Sequence, residues 1–273
     1  MGATPQACET CPVHAEMAQL GTASGGFDHV IALAGNPNTG KSTLFNALTG
    51  LRQHTGNWPG KTVTRAEGGF QFAGRRYKLV DLPGTYSLLS ASDDEEVARN
   101  FLLFGRPDCT VVVVDASALE RNLYLVLQVL EITDRAVVAV NLMDEAKRRG
   151  IEVDSRSLAR DLGVPVVPIV ARRGENVMAL LQEVANVVSG ETATHPLRTK
   201  GTEEFERAVM RLVPMIEAAA PGVPNARWIA IRLLDGDASV EEALTSGRLA
   251  ELVRRQQEPD QRFSRTIALQ GAQ

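Results

Sequence analysis

Two glycines five positions apart, followed at once by a lysine and a serine, form the stretch of this sequence with the clearest chemical meaning. The stretch is "GNPNTGKS" (35–42), and it fits the pattern G-x-x-x-x-G-K-S in full. Glycine allows backbone N–H groups to curl around phosphate oxygens, and a helix N-terminus adds roughly half a positive charge there. The pattern therefore predicts a phosphate-binding loop in which Lys41 reaches the β- and γ-phosphates of a nucleotide and Ser42 coordinates Mg²⁺.

Two further motifs follow predicted strands and indicate which nucleotide binds. In "DLPG" (81–84), we expect Asp81 in the Mg²⁺ shell and the Gly84 N–H at the γ-phosphate, where the loop can respond to hydrolysis. In "NLMD" (141–144), the Asp144 carboxylate can accept hydrogen bonds from both N1–H and N2–H₂ of guanine. Adenine presents a bare acceptor at that position, so the motif predicts guanine, with Asn141 at the other edge of the base.

A short segment after the last predicted strand completes the predicted base site. We expect the Ala171 N–H to meet guanine O6, although Val170 stands where GTPases usually have serine. The residues predicted to contact the nucleotide are those of the three motifs and this segment: Gly35, Asn36, Pro37, Asn38, Thr39, Gly40, Lys41, Ser42, Thr43, Asp81, Gly84, Asn141, Met143, Asp144, Val170, Ala171 and Arg172.

The segment "QHTGNWPGKTVT" (53–64) is predicted to be a mobile loop that closes on the nucleotide. A GTPase needs a threonine here to coordinate Mg²⁺ and contact the γ-phosphate. We expect Thr62 in that role, with Thr55 and Thr64 as alternatives. Trp58 is expected to be exposed when the loop opens, either as a loose hydrophobic anchor or in a catalytic role.

The residues after Gly84 predict slow hydrolysis. Ras-like enzymes place a glutamine there to orient water, whereas this chain has Thr85 and Tyr86. The side-chain carbonyl of Asn38, inside the phosphate loop, is predicted to help hold a monovalent cation where an arginine finger would otherwise lie. The predicted catalytic residues are Asn38, Lys41, Thr62 and Gly84, and the predicted Mg²⁺ ligands are Ser42, Thr62 and Asp81.

Short apolar runs that alternate with amphipathic stretches must position these residues. The runs predict strands at "HVIALAG" (29–35), "YKLVDL" (77–82), "CTVVVVDA" (109–116), "RAVVAVNL" (135–142) and "VPVVPIV" (164–170), and the amphipathic stretches predict helices near 41–49, 93–104, 119–132 and 174–188. This alternation indicates an α/β fold: a P-loop GTPase with a mostly parallel six-stranded sheet. A hairpin around 73–75 is predicted to add one antiparallel edge strand.

A small all-helical domain is predicted to follow the sheet. Thr202 is the expected N-cap of its first helix, which Pro214 should kink or shorten. Ser239-x-x-Glu242 is expected to cap a helix that runs to about residue 256, just as Ser92-x-x-Glu95 should cap the helix at 93–104. The predicted organisation is a flexible tail at 1–26, a GTPase domain at 27–190, a helical domain at 195–260 and a tail at 261–273.

Composition limits the class of protein. The net charge of −4 and the pI of about 5.7 weigh against a dedicated nucleic-acid binder, so no nucleic-acid partner is expected. The sequence has no apolar stretch long enough to cross a bilayer, which predicts a soluble cytoplasmic chain. Cys109 begins a predicted buried strand. Cys8, Cys11 and His14 are too few for a complete zinc site, so they form either another metal or redox site or part of a tail in which the thiols have no role.

Taken together, "GNPNTGKSTLFNALTG", "GNWPGKTV", "DLPGTYSL" and "NLMD" resemble the GTPase domain of the bacterial ferrous iron transport protein B family. The helical part at 195–260 is similar to that family's guanine-nucleotide dissociation inhibitor-like domain, and Leu142 replaces the lysine of the common N-K-x-D, as the family tolerates. The resemblance implies a slow switch coupled to Fe²⁺ uptake, with GTP/GDP and Mg²⁺, activated by K⁺ held by Asn38 and the carbonyls of Gly56 and Trp58.

The same resemblance implies a partner and a place in the cell. The partner is the membrane permease portion of the same transporter, which this chain lacks, and the place is the cytoplasmic face of the bacterial inner membrane. Two alternatives stay open: a ribosome- or RNA-associated GTPase, and an interaction module that binds GTP but barely hydrolyses it. The low pI disfavours the first, the missing glutamine is consistent with the second, and self-association is left undecided.

Overall fold

The fold is described by a computed structural model that covers residues 26–50, 53–58, 61–89, 92–198 and 200–257. Cys8, Cys11 and His14, almost all of the predicted N-terminal tail, and the predicted C-terminal tail lie outside the described residues. The described chain divides between Thr199 and Lys200 into two compact units, each considered by itself below.

A seven-stranded sheet forms the centre of the first unit. Its strands are β1 (His29–Gly35), β2 (Gln53–Asn57), β3 (Thr64–Phe72), β4 (Arg75–Asp81), β5 (Cys109–Asp115), β6 (Ala136–Asn141) and β7 (Val166–Pro168). The spatial order is β2-β3-β4-β1-β5-β6-β7, and β3 alone of these strands runs against the direction of the others. The mostly parallel α/β sheet is confirmed.

The predicted number of strands was wrong, since the sheet has seven strands and not six. Residues 53–57 were predicted as loop but form the edge strand β2. The antiparallel strand β3 therefore lies between β2 and β4. The sequence "QHTGN" has neither apolar alternation nor β-branched enrichment, so no local pattern marks it as a strand. Its pairing with Thr64–Gly68 supplies the backbone hydrogen bonds that local propensity does not predict.

Helices cover both faces of this sheet. They are α1 (Lys41–Thr49), α2 (Asp93–Phe104), α3 (Leu119–Ile132), α4 (Met143–Arg148), α5 (Ser155–Leu162) and α6 (Val177–Ser189). Every residue of β6 is buried, and Phe45 of α1 and Leu180 of α6 pack into the same apolar cluster as Val137. Ser92 caps α2 as predicted, accepting a hydrogen bond from the Glu95 N–H at 3.3 Å. Cys109 is core, and its burial raises the pKa of the thiol to about 12.

The second unit is helical, as predicted, and comprises α7 (Glu203–Ala219), α8 (Ala226–Leu234), α9 (Ala238–Thr245) and α10 (Arg248–Gln257). Thr202 caps α7, and the helix continues through Pro214 to Ala219, so the proline does not shorten it. Between α7 and α8, Glu206 accepts two hydrogen bonds from Arg227, at 2.7 and 3.0 Å.

The last predicted helix was wrong in its cap and in its continuity. Asp237, not Ser239, is the N-cap of α9, because its carboxylate accepts the N–H groups of Ser239 and Val240. The predicted single helix is interrupted at Gly247, which has a φ of 75°. None of the helices in the described ranges is both long enough and apolar enough to cross a membrane.

A segment after α6 lies against the end of α5. The His195 N–H donates to the Gly163 carbonyl at 2.9 Å, and the Leu197 N–H donates to the Leu162 carbonyl at 2.9 Å. Gly163 has a φ of +71°, and a side chain there would overlap the His195 carbonyl oxygen. Gly150 has the same φ of +71°, but nothing lies within 4 Å of the position its Cβ would take.

This pair of glycines allows a matched stability test. Gly150→Ala should cost about 1–2 kcal/mol, the penalty of a left-handed alanine. Gly163→Ala should cost clearly more, since it adds the collision with His195. Urea unfolding followed by circular dichroism measures both, and equal losses would contradict the close packing of the 195–197 segment on α5.

Candidate nucleotide-binding site

The predicted phosphate loop joins the central strand β1 to helix α1. Gly40 is the N-cap of α1 with a φ of 82°, in the left-handed region that favours glycine. A side chain at Gly40 would collide with the amide of Asn141. The glycine is therefore required both by the turn and by the close approach of a second motif.

Lys41 and Asp81 form an ion pair beside this loop. The Lys41 ammonium donates to Oδ1 of Asp81, and both side chains are largely buried, with 10% and 14% of their surface exposed. Burial raises the pKa of Asp81, and the charge of Lys41 acts in the opposite direction. The pair places the predicted phosphate-binding cation and the predicted Mg²⁺ ligand in direct contact.

The loop after Asp81 runs alongside the phosphate loop. The Thr85 N–H donates to the Gly35 carbonyl at 3.3 Å. A methyl group on Gly84 would lie 3.3 Å from the Cα of Pro37, so the backbones approach closely. The structure thus brings together two of the motifs that are far apart in sequence.

Asn141 connects the phosphate loop to the segment after β7. Its Nδ2 donates to the Thr39 carbonyl at 2.9 Å, and its Oδ1 accepts the Ala171 N–H at 2.9 Å. The side chain is 1% exposed, so both bonds are shielded from water. The Ala171 N–H, predicted to meet guanine O6, donates to Asn141 instead. The neighbouring Arg172 N–H donates to none of the residues that the structure describes.

Asp144 lies in the first turn of α4, which starts after Leu142 in the left-handed conformation (φ 61°). Its Oδ2 accepts a hydrogen bond from the Arg172 guanidinium, and Arg173 lies 3.5 Å from the same oxygen. Its Oδ1 is buried and has no hydrogen-bond partner in the part of the chain that the structure describes. Desolvation opposes ionisation, but the hydrogen bond and charge of Arg172 hold the pKa of this carboxyl below its ordinary value.

The other predicted nucleotide contacts occupy the same loops with different exposure. Asn38 is exposed and has a φ of 64°, and Ser42 and Thr43 are exposed at the start of α1. Met143 is half-buried and Val170 is buried. Asn36 is 1% exposed, and its amide atoms have no partner among the described residues.

The segment that carries Thr62 is not joined to this cluster. In the described ranges, no hydrogen bond links Thr62, Gly56 or Trp58 to the phosphate loop. The Trp58 carbonyl instead accepts the Lys61 N–H at 3.0 Å, and the Lys61 ammonium donates to Asp93 (2.7 Å) and Glu96 (2.9 Å) of α2. The segment is therefore held against α2.

Trp58 is buried while its segment lies against α2. It is 2% exposed, with its ring edge-on to Phe101 at 5.5 Å and under the Arg65 guanidinium at 4.9 Å. Phe101 belongs to the buried face of α2, so the apolar periodicity of that helix was an available signal for the contact. Sequence reasoning also missed the pairing of Arg172 with Asp144, for which the adjacent arginines at 172 and 173 were the only hint.

Comparison with known proteins identifies similar sequences. The profile of the family "Ferrous iron transport protein B" matches residues 29–184, and that of the "FeoB cytosolic helical domain" matches residues 202–268. The chain is 40% identical over 217 residues to the Fe(2+) transporter FeoB of Escherichia coli K12, and 41% identical over 214 residues to that of Salmonella typhimurium. Each match covers 76% of this chain but only 27% of the relative.

Solved structures of similar chains share the fold. The apo cytosolic domain of T. maritima FeoB has a TM-score of 0.73 at 33% identity, covering 84% of this chain and 94% of that one. The GMPPNP form of the same domain has a TM-score of 0.72 at 32% identity, covering 84% and 95%. The L. pneumophila FeoB cytosolic domain has a TM-score of 0.70 at 35% identity, covering 83% and 97%.

Asn141 has a matched control in Asn122, another buried asparagine that joins two backbone groups, the Asp115 N–H (3.2 Å) and the Ala118 carbonyl (2.8 Å). Asn141→Ala leaves two buried backbone groups unpaired and should lower the free energy of unfolding by about 2–4 kcal/mol, whereas Asn122→Ala leaves two partly buried groups unpaired and should cost about 1–3 kcal/mol. Asn141→Ala alone should also reduce binding of a fluorescent guanine nucleotide by more than about tenfold. Equal loss of binding in both variants would trace the effect to destabilisation rather than to the site.

Proposed function

The chain belongs to the ferrous iron transport protein B family, and from this premise we propose that it binds and hydrolyses GTP as the nucleotide-dependent switch of a ferrous iron transporter. The observation that carries the proposal is the pair of hydrogen bonds made by the Asn141 amide, which join the phosphate loop to the segment at 171–173. Arg172 of that segment contacts Asp144. Solved relatives in GDP and GMPPNP forms support the same ligand class. The alternative of an RNA-associated GTPase gains no support from these relatives.

In this proposal, Asp144 selects guanine. Its two oxygens accept N1–H and N2–H₂, and the low pKa of the carboxyl keeps it ionised at neutral pH. Because the Ala171 N–H is already bound to Asn141, we assign the contact with guanine O6 to the Arg172 N–H instead. Adenine lacks the two adjacent donors, so it leaves Asp144 without its partners.

The phosphate loop supplies backbone N–H groups and Lys41 to the polyphosphate. Transfer of Lys41 from Asp81 to the β- and γ-phosphates would free the Asp81 carboxylate. The hydroxyls of Ser42 and Thr62 and the Asp81 carboxylate are hard oxygen donors, the kind Mg²⁺ prefers, and they would hold that ion. When bound, Mg²⁺ neutralises charge on the β- and γ-phosphate oxygens.

The Thr62 segment has to move for the catalytic arrangement to form. Asn38 is exposed in the phosphate loop, and its amide oxygen suits a monovalent cation. The carbonyls of Gly56 and Trp58 would complete that K⁺ site only after the Trp58 carbonyl leaves the Lys61 N–H. When bound there, K⁺ supplies the positive charge that an arginine finger gives elsewhere. Gly84 remains the proposed γ-phosphate contact, since its loop already lies beside Pro37.

The remaining proposals concern the transporter as a whole. The chain spans about a quarter of the length of its curated relatives, so transport of Fe²⁺ itself is assigned to a membrane permease portion outside this chain. The proposed place of work is the cytoplasmic face of the bacterial inner membrane. The helical unit matches the cytosolic helical domain of the family, and we assign it a role in modulating nucleotide release.

The base assignment is tested by Asp144→Asn. An amide presents one donor and one acceptor where guanine needs two acceptors, so GDP affinity should fall on the order of 100-fold. Xanthosine diphosphate, which carries a carbonyl at C2, should bind the variant better than it binds the wild type. Fluorescence titration with both nucleotides measures this, and an unchanged preference for GDP would remove Asp144 from the base site.

The catalytic proposal is tested by GTP turnover in KCl against NaCl, with ATP as the substrate control. Turnover of GTP should be at least about tenfold faster in K⁺. This is a small part of the roughly 10³-fold increase in kcat that an arginine finger can supply. Asn38→Ala should reduce the K⁺ rate to the Na⁺ rate while leaving GDP affinity within about threefold of wild type. Equal rates in both salts would overturn the K⁺ site, and negligible turnover in either would favour an interaction module.

A further inference from the structure

The pair formed by Asp144 and Arg172 places a cation on the group that the proposed function assigns to guanine. Arg172 lies in the 3₁₀ turn Ala171–Arg173, directly after the Ala171 N–H that Asn141 holds. Its guanidinium bonds Oδ2 of Asp144, and its other terminal nitrogen lies 3.9 Å from Glu145. The arginine is thus held at the predicted base site by two carboxylates.

The two oxygens of Asp144 have different surroundings. Oδ2 faces Arg172 and has Arg173 at 3.5 Å, whereas Oδ1 is buried and unpartnered among the described residues. Guanine requires both oxygens, because its two donors lie side by side. Oδ1 is buried and Oδ2 carries the Arg172 guanidinium, so a base cannot reach both oxygens while that guanidinium stays in place.

We infer that Arg172 is an internal competitor of guanine for Asp144, and that its side chain must leave Oδ2 before the base can take both oxygens. This inference rests on the proposed function, and it makes the Arg172 side chain a determinant of guanine-nucleotide affinity rather than a simple contact to the nucleotide. Arg172 remains 45% exposed, so its guanidinium can move into solvent without leaving a buried charge behind. The main-chain N–H of the same residue stays in place to meet O6.

The strength of the competition follows from this exposure. Ion pairs near the surface are weak, and they weaken further as salt is added. Removing the side chain should therefore tighten GDP binding by about two- to fivefold. The gain should be largest at low ionic strength and should approach zero at about 1 M salt, where screening acts within a few ångströms.

The test measures the dissociation constant of mant-GDP, with MgCl₂, for the full chain and for Arg172→Ala at low and high salt. Arg160→Ala is the matched control, since Arg160 is an exposed arginine of the same unit that pairs with Asp161 on α5. Tighter binding in Arg172→Ala but not in Arg160→Ala, with an advantage that disappears in high salt, is the expected result. Binding by Arg172→Ala that is weaker than wild type, or equal to the Arg160→Ala control, would overturn the inference.

A double substitution distinguishes competition from a general effect on the loop. In the Asp144→Asn background there is no carboxylate to contest, so adding Arg172→Ala should leave affinity for mant-XDP unchanged. A twofold or greater gain in that background would overturn the inference, because Arg172 would then act independently of Asp144. Failure of the proposed function has a separate signature: wild-type protein that binds mant-ADP as tightly as mant-GDP.

Discussion

A single buried amide, that of Asn141, is the interaction on which the rest of the site depends. It donates to the Thr39 carbonyl and accepts from the Ala171 N–H, so it holds the loop at 35–42 at a fixed distance from the segment at 170–172. A carboxylate of the same size could not donate, and an aliphatic side chain could do neither. Because the group is 1% exposed, an unmade bond there would have no water to replace it.

The sheet makes this bridge geometrically available. In a parallel α/β sheet the carboxyl ends of the strands meet at one edge, and ligands bind there. Registers place Leu33 of β1 beside Asp81 of β4, and Asp115 of β5 beside Asn141 of β6. Each motif follows a strand that is buried on both faces, so the apolar runs that build the core also set where the polar side chains emerge. Core packing and site geometry are two consequences of the same pattern.

Sequence reasoning succeeded where local pattern and tertiary structure agree. The helices at 93–104 and 119–132 were predicted with the bounds they have, since apolar periodicity marks both and the Ser92 cap marks the first. It failed where partners distant in sequence decide the outcome. β2 exists because β3 pairs with it, and Arg172 meets Asp144 only through the fold. The cap of α9 was missed for a local reason, because Asp237 lies two residues before Ser239 and its carboxylate accepts the N–H groups of Ser239 and Val240. The motif residues were predictable, but the contacts among them were not.

The burial of Trp58 has an optical consequence. Its indole packs against Phe101, and the segment is tied to α2 by the Lys61 ion pairs, so any displacement of residues 53–58 from α2 moves the ring from an apolar contact into water. The chain has one other tryptophan, Trp228, which belongs to the helical unit. The fluorescence emission of Trp58 therefore reports, without any attached dye, whether the segment that carries Thr62 lies against α2.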